Sequence, residues 1–127
     1  MIEGRIGESG TPVVTLQVMG TGGRTATIAG LFDTGFDGFL CLPISIAVTL
    51  GLELTDVSST KLADGTIIDN ELVFAGQGEW DGTVMSVPIT LTRSEDALIG
   101  TAFLHGYIVQ LDYITYTVRI EKAPDLP

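Results

Sequence analysis

Leu31-Phe32-Asp33-Thr34-Gly35-Phe36-Asp37-Gly38-Phe39-Leu40 is the stretch that decides how this chain reads. Most of it is apolar enough for a buried strand, yet a carboxylate, a hydroxyl and a glycine interrupt it. An ionised carboxylate resists burial unless it is paired or hydrogen-bonded. Two readings compete on these residues alone. In one, Asp33 shares a proton with a second carboxylate and the pair activates a water. In the other, Asp33-Thr34-Gly35 is a hairpin turn made of ordinary turn residues.

Composition narrows the field. A chain of 127 residues has the length of one domain, 1–127, with a core over about 13–121 and a tail at 122–127. The 45% hydrophobic content supplies a core, and 16 glycines suit short strands and tight turns. Six basic against 16 acidic residues leave a net charge of -10. That balance argues against nucleic acid and against an anionic membrane surface as partners. Cys41 is the one cysteine, so no intramolecular disulfide forms, and its apolar surroundings suit a buried thiol. No Cys/His cluster offers a metal site, and His105 is the one histidine. No cofactor is expected. No apolar run reaches the ~18 residues of a membrane span, and no signal peptide is visible, so the cytoplasm is the expected location. Ile2-Glu3-Gly4-Arg5 spells a common engineered protease-cleavage site, but Met1 precedes it directly with no affinity tag, which favours a native N-terminus.

Taken in order, 13–18 and 25–32 read as a hairpin around the turn 20–23, delivering Asp33 to the end of its second arm. A strand at 39–42 ends at Pro43, and 44–50 reads as a short helix stopped by Gly51. Strands at 58–62 and 67–74 flank Ala63-Asp64-Gly65-Thr66, a hairpin signal. Residues 76–80 are irregular or continue the strand. Asp81-Gly82 turns the chain into a strand at 83–91. After a polar loop at 92–96, Ala97-Leu98-Ile99-Gly100 is a short apolar run, and Thr101 caps a brief helix through Leu104. Strands at 107–112 and 117–121 close the chain. The sum is a small all-β protein with one or two short helices.

The order of these parts resembles the retropepsin-like aspartic proteases in their single-domain bacterial form, over about Val13 to Glu121. Leu31-Phe32-Asp33-Thr34-Gly35 is similar to that family's hydrophobic-hydrophobic-Asp-Thr-Gly signature, and Asp37 falls on its second Asp. Leu98-Ile99-Gly100 is similar to its downstream hydrophobic-hydrophobic-Gly motif. The resemblance implies a closed β-barrel, one lobe per chain. It also implies Asp33, Thr34 and Gly35 as the catalytic loop. Phe36 and Asp37, with the flap residues Ala63, Asp64, Gly65 and Thr66, are then implied as the peptide-binding residues. Phe36 departs from the small residue usual there and is expected to narrow the groove or tilt the loop. Thr101 stands where retroviral members often carry Arg, so the dimer must be tied together differently.

An acid–base pair needs two carboxylates, and this chain has a single Asp-Thr-Gly. The second is therefore expected from Asp33 of another copy, across a two-fold axis. The expected activity is an aspartic endopeptidase that binds extended peptide by strand addition. Two rivals stay open: a retropepsin-fold module that binds or dimerises with little or no cleavage, and an unrelated acidic β-barrel in which Asp33 sits in a turn. Asp56, Asp69, Glu71, Glu79, Asp81, Glu95 and Asp96 are expected on the solvated surface, and Asp112 at a strand end. Tyr107, Tyr113 and Tyr116 are expected in the core or an interface, with Trp80 packed on a strand face.

Overall fold

Alternating residues make Pro12–Met19 (β2) a strand: Val14, Leu16 and Val18 are buried while Thr15 and Gln17 face solvent. It pairs antiparallel with Thr25–Phe32 (β3), setting Val14 opposite Gly30, Leu16 opposite Ile28 and Val18 opposite Ala26 on the inner face. The computed structural model describes residues 1–61 and 63–124, with the backbone alone for 60, 61 and 68–70. Its other strands are β1 (Ile2–Ile6), β4 (Leu40–Pro43), β5 (Glu53–Lys61), β6 (Ile67–Trp80), β7 (Thr83–Thr92), β8 (Ala97–Ile99), β9 (Tyr107–Asp112) and β10 (Thr117–Lys122).

These ten strands form one sheet in the order β5-β6-β7-β4-β8-β3-β2-β1-β10-β9. Val18 opposite Gly78 and Met19 opposite Gln77 join β2 back to β6. That pairing closes a barrel of six strands, a retropepsin-like fold. Closure removes the exposed edges of the central strands. Side chains from all six strands meet inside, where Leu40, Leu42, Val18, Ile89 and Ile99 are essentially inaccessible to water. No buried side chain among the described residues is polar apart from the indole of Trp80.

The local signals that required special backbone geometry hold. Ile44–Leu50 is the α-helix (α1), and Gly51 ends it at φ 62°, a left-handed cap open to glycine without strain. Asp81 and Gly82 both have positive φ, 50° and 81°, and Trp80 pairs with Thr83, so the two residues form a tight mirror-image turn. No helix among the described residues is long and apolar enough to cross a membrane.

Several elements differ from the expectation. Ile2–Ile6 is a strand held by β10 and β2, a non-local pairing that the short segment itself does not advertise. β5 begins at Glu53 rather than Ser58, because its partner β6 offers it pairing partners as far as Ala75. Leu62, the expected end of this strand, and residues 125–127 of the tail lie outside the described residues, as does the side chain of Asp69. Thr101–Leu104 is a 3-10 turn, and Thr101 does not cap it: Gly100 precedes the turn, and the Thr101 hydroxyl donates instead to the Phe36 carbonyl, at 3.3 Å. Cys41 is half-buried rather than fully buried. Asp81 stays at the surface, part exposed, and accepts a bond from the Met1 amine at 2.8 Å. Tyr113 and Tyr116 are more than half exposed.

Asp112 does end a strand. Its Oδ1 accepts the backbone N–H groups of Ile114 (2.8 Å) and Thr115 (3.1 Å), and the turn closes on Tyr116 at φ 58°. The Thr115 amide first, then that of Ile114, holds this carboxyl below its ordinary value of 3.8. A group depressed in the folded state contributes stability above its unfolded pKa and loses it as pH falls through the folded value. Asp112→Ala should therefore lower Tm at pH 7, and the gap to wild type should shrink as pH drops below 3.8. Thermal unfolding across that range checks this; a gap independent of pH would mean the carboxylate does not hold the turn.

Candidate active site

The site is built where β8 lies between β3 and β4. Ile99 of β8 pairs parallel with Phe32 and antiparallel with Leu40, the last residue of β3 and the first of β4. The intervening loop, residues 33–39, is thus gripped at both ends by one strand. The contact continues past that strand. Asp33 N–H donates to Ile99 O at 3.0 Å, Gly100 N–H to Phe39 O at 2.9 Å, Thr101 N–H to Phe36 O at 2.9 Å and Ala102 N–H to Gly38 O at 3.2 Å.

Such close backbone approach explains Gly100. A Cβ there would collide with the Gly38 carbonyl and stand 2.7 Å from the Phe36 ring. The Phe36 ring lies equally close to the space above Gly38, at 2.7 Å. Phe36 thus packs over two glycines of its own site. Phe39 at the far end of the loop meets Phe103 edge-on, with centroids 4.9 Å apart, and Phe103 stacks on Trp80 at 4.7 Å. This aromatic stack anchors the 3-10 turn to the barrel.

Within the loop, Asp33 is half-buried and Thr34 and Gly35 are exposed. Asp33 Oδ1 accepts the Gly35 N–H at 2.8 Å, and its carbonyl accepts the Phe36 N–H at 3.2 Å. Backbone and carboxylate orientation are both fixed, and the exposed face of the loop carries the hydroxyl of Thr34. Gly35, Phe36 and Asp37 border a cleft of about 360 Å³ with Phe39, Leu40, Pro88 and Thr90. Glu71 and Val73 of β6 line it as well. Glu71 was expected among solvated surface acids; the unbroken run of β6 brings it to this cleft instead. Only the register of β6 could have revealed that.

Ala63, Asp64, Gly65 and Thr66 sit at the exposed tip of the β5/β6 hairpin. Asp64 Oδ1 accepts the Thr66 N–H at 2.8 Å, and Gly65 has φ 89°. Bonds from Thr66 hold the Asp64 carboxyl below its usual range. The tip residues do not line the cleft among the described residues, so the hairpin reaches the cleft through Glu71 and Val73 rather than through the tip itself. No cluster of metal-ligating side chains occurs among the described residues.

No protein-family model matches the chain, and no curated protein does. Solved structures do. One, a retropepsin-like aspartic protease from Rickettsia conorii, matches with a TM-score of 0.64 at 16% identity, over 96% of this chain and 89% of that one. At that identity the likeness is one of fold, and it agrees with the strand order and barrel closure described above.

Gly100→Ala should cost about 3 kcal/mol or more, because the added methyl meets backbone that is itself hydrogen-bonded on both sides. Urea unfolding measures it. A loss below about 0.5 kcal/mol would show that the loop can move away from β8 at little cost.

Proposed function

We propose that the chain is an aspartic endopeptidase whose active site is completed by a second copy. The observation that carries this reading is the setting of Asp33 in a retropepsin-like fold. It is a half-buried carboxylate with one oxygen fixed by Gly35 N–H, on a loop pinned by β8, beside an apolar cleft. One chain supplies one such carboxylate, and an isologous dimer supplies two.

With both Asp33 side chains at hydrogen-bond distance, the pair holds one proton, since like charges so close do not both ionise. The ionised carboxylate takes a proton from the water between them as the water oxygen attacks the scissile carbonyl carbon. The protonated one gives its proton to the carbonyl oxygen. The resulting gem-diol then loses the amine: the C–N bond breaks, the nitrogen gains a proton from the dyad, and the products are a carboxylic acid and an amine. No covalent intermediate, metal or cofactor enters. Thr34 donates across the dimer, Gly35 keeps the loop low enough for the partner to approach, and Asp37 bonds the substrate main chain. Ala63–Thr66 of the hairpin cover an extended peptide.

Asp33→Asn should reduce cleavage of a mixed peptide library by at least about 10³-fold while leaving the fold and peptide binding in place. Wild-type activity should rise faster than linearly with protein concentration until the dimer saturates. Cleavage that survives Asp33→Asn would refute the dyad. A sample shown to be dimeric that binds peptides and never cleaves them, from about pH 3.5 to 7, would establish the binding-module reading instead.

A further inference from the structure

The sheet ends at two strands, β5 and β9, and among the described residues each pairs on one side alone. An unpaired edge is a template for another chain, and proteins ordinarily blunt it with charges or bulges. β5 is blunted. Its register slips twice, Glu53 and Asp56 put charges on it, and Asp56 Oδ1 takes the Val57 N–H at 2.8 Å. β9, Tyr107-Ile108-Val109-Gln110-Leu111-Asp112, is not. Its register with β10 is unbroken, it holds no Pro, Gly or Lys, and its one charge is at its last residue. Ile108 is 58% exposed, and Tyr113, Ile114 and Tyr116 of the following turn are exposed as well.

The free edge has a definite phase. Ala123 N–H donates to Gly106 O at 2.7 Å, one pair beyond the register of Tyr107 with Lys122. In an antiparallel ladder such bonds join residues directly opposite and recur at every second pair. Ile108, Gln110 and Asp112 therefore turn their backbone groups to β10, and Tyr107, Val109 and Leu111 turn theirs outward.

We propose that β9 pairs antiparallel with β9 of a second copy, with Val109 on the two-fold axis, and joins the two sheets into one. That the occupant is a second copy rests on the protease reading above, in which one chain holds half of the dyad. The edge also fits itself. A two-fold axis normal to the sheet keeps each side chain on its own face, so residues of like parity meet. With Val109 opposite itself, Tyr107 meets Leu111 of the other copy, and every outward N–H and C=O of these three residues finds a partner. On the outer face Ile108 meets Gln110, and Asp112 meets Gly106, so no like charges are opposed. The strand also starts close to the catalytic loop: Ala102 donates to Gly38 O, and the chain reaches β9 directly after that 3-10 turn. The net charge of -10 on each copy opposes approach, so added salt strengthens the pairing.

Analytical ultracentrifugation of the wild type and of Ile108→Lys with Gln110→Lys tests this, beside cleavage assays. The two substitutions set like charges opposite each other at both Ile108–Gln110 pairs, and the dimer Kd should rise about tenfold although the net charge falls in magnitude. Cleavage should drop at low protein concentration and recover at high concentration. In a Cys41→Ser background, Val109→Cys should oxidise to a disulfide-linked dimer, because Cα atoms of such a pair stand about 5.5 Å apart. Gln110→Cys should not, since its two copies lie about 8 Å apart in this register. An unchanged Kd in the double lysine variant, or bridging at Gln110→Cys and not at Val109→Cys, would overturn the proposal. If Asp33-dependent cleavage still rose faster than linearly, the protease reading would stand with its interface elsewhere. A β9-linked dimer without Asp33-dependent cleavage would support the interface and overturn the protease reading. A monomer at every concentration and salt would overturn both.

Discussion

The strand β8 inserted between β3 and β4 is the constraint on which the rest depends. A loop that leaves one strand and enters another is ordinarily free to bow outward, and Asp33–Phe39 cannot. Its two ends are hydrogen-bonded to Ile99, and its middle accepts bonds from the amides of Thr101 and Ala102. Under the proposed function, a carboxylate that meets its counterpart at hydrogen-bond distance needs its position fixed to a fraction of an ångström. Here that position comes from backbone pairing inside a closed barrel, the least deformable part of such a protein. The Phe39–Phe103–Trp80 stack carries the same rigidity to the strand end opposite.

The hairpin of β5 and β6 has the opposite character. Among the described residues β5 pairs with β6 alone, its register slips twice, and Leu54, Val57 and Leu72 stay substantially exposed on the hairpin. A pinned loop on one side of the cleft and a singly supported hairpin on the other suit a site that must hold its chemistry still while letting an extended chain enter and leave. Glu71 and Val73 stand where the two regimes meet, on β6 just before it joins β7 and the barrel.

What was legible in the sequence was whatever a short stretch can enforce by itself. Gly51 stops α1 because a left-handed residue is needed there; Asp81-Gly82 turns because both residues must take positive φ. Leu31–Gly35 and Leu98–Gly100 could be matched as a pair through the resemblance to the retropepsin-like pattern, and Gly100 does need the close approach that only glycine allows. Ile2–Ile6 was illegible because its partners lie about a hundred residues away in β10 as well as nearby in β2. The place of Glu71 was illegible for a related reason: an acid in a mixed segment looks solvated until the register of β6 against β5 and β7 is known. The Thr101 hydroxyl misled because an oxygen suited to accept an N–H at a helix start instead donates its proton to the Phe36 carbonyl.

Phe36 shows how a departure from a familiar motif is to be weighed. Read alone, a large ring in the site argues for a narrowed groove and so for a weak enzyme. In the fold, the ring occupies volume that Gly38 and Gly100 leave empty; Gly38 admits no methyl group while the ring is there, and Gly100 admits none in any case because of the Gly38 carbonyl. The three residues are complementary in size, so the ring seals the loop against the turn that follows β8 and does not simply project into the cleft. One of its faces still borders that cleft. The same side chain therefore fixes the loop carrying Asp33 and lines the cleft together with Val73. The size of this residue bears on which side chains the cleft accepts far more than on whether the loop can hold its carboxylate in place.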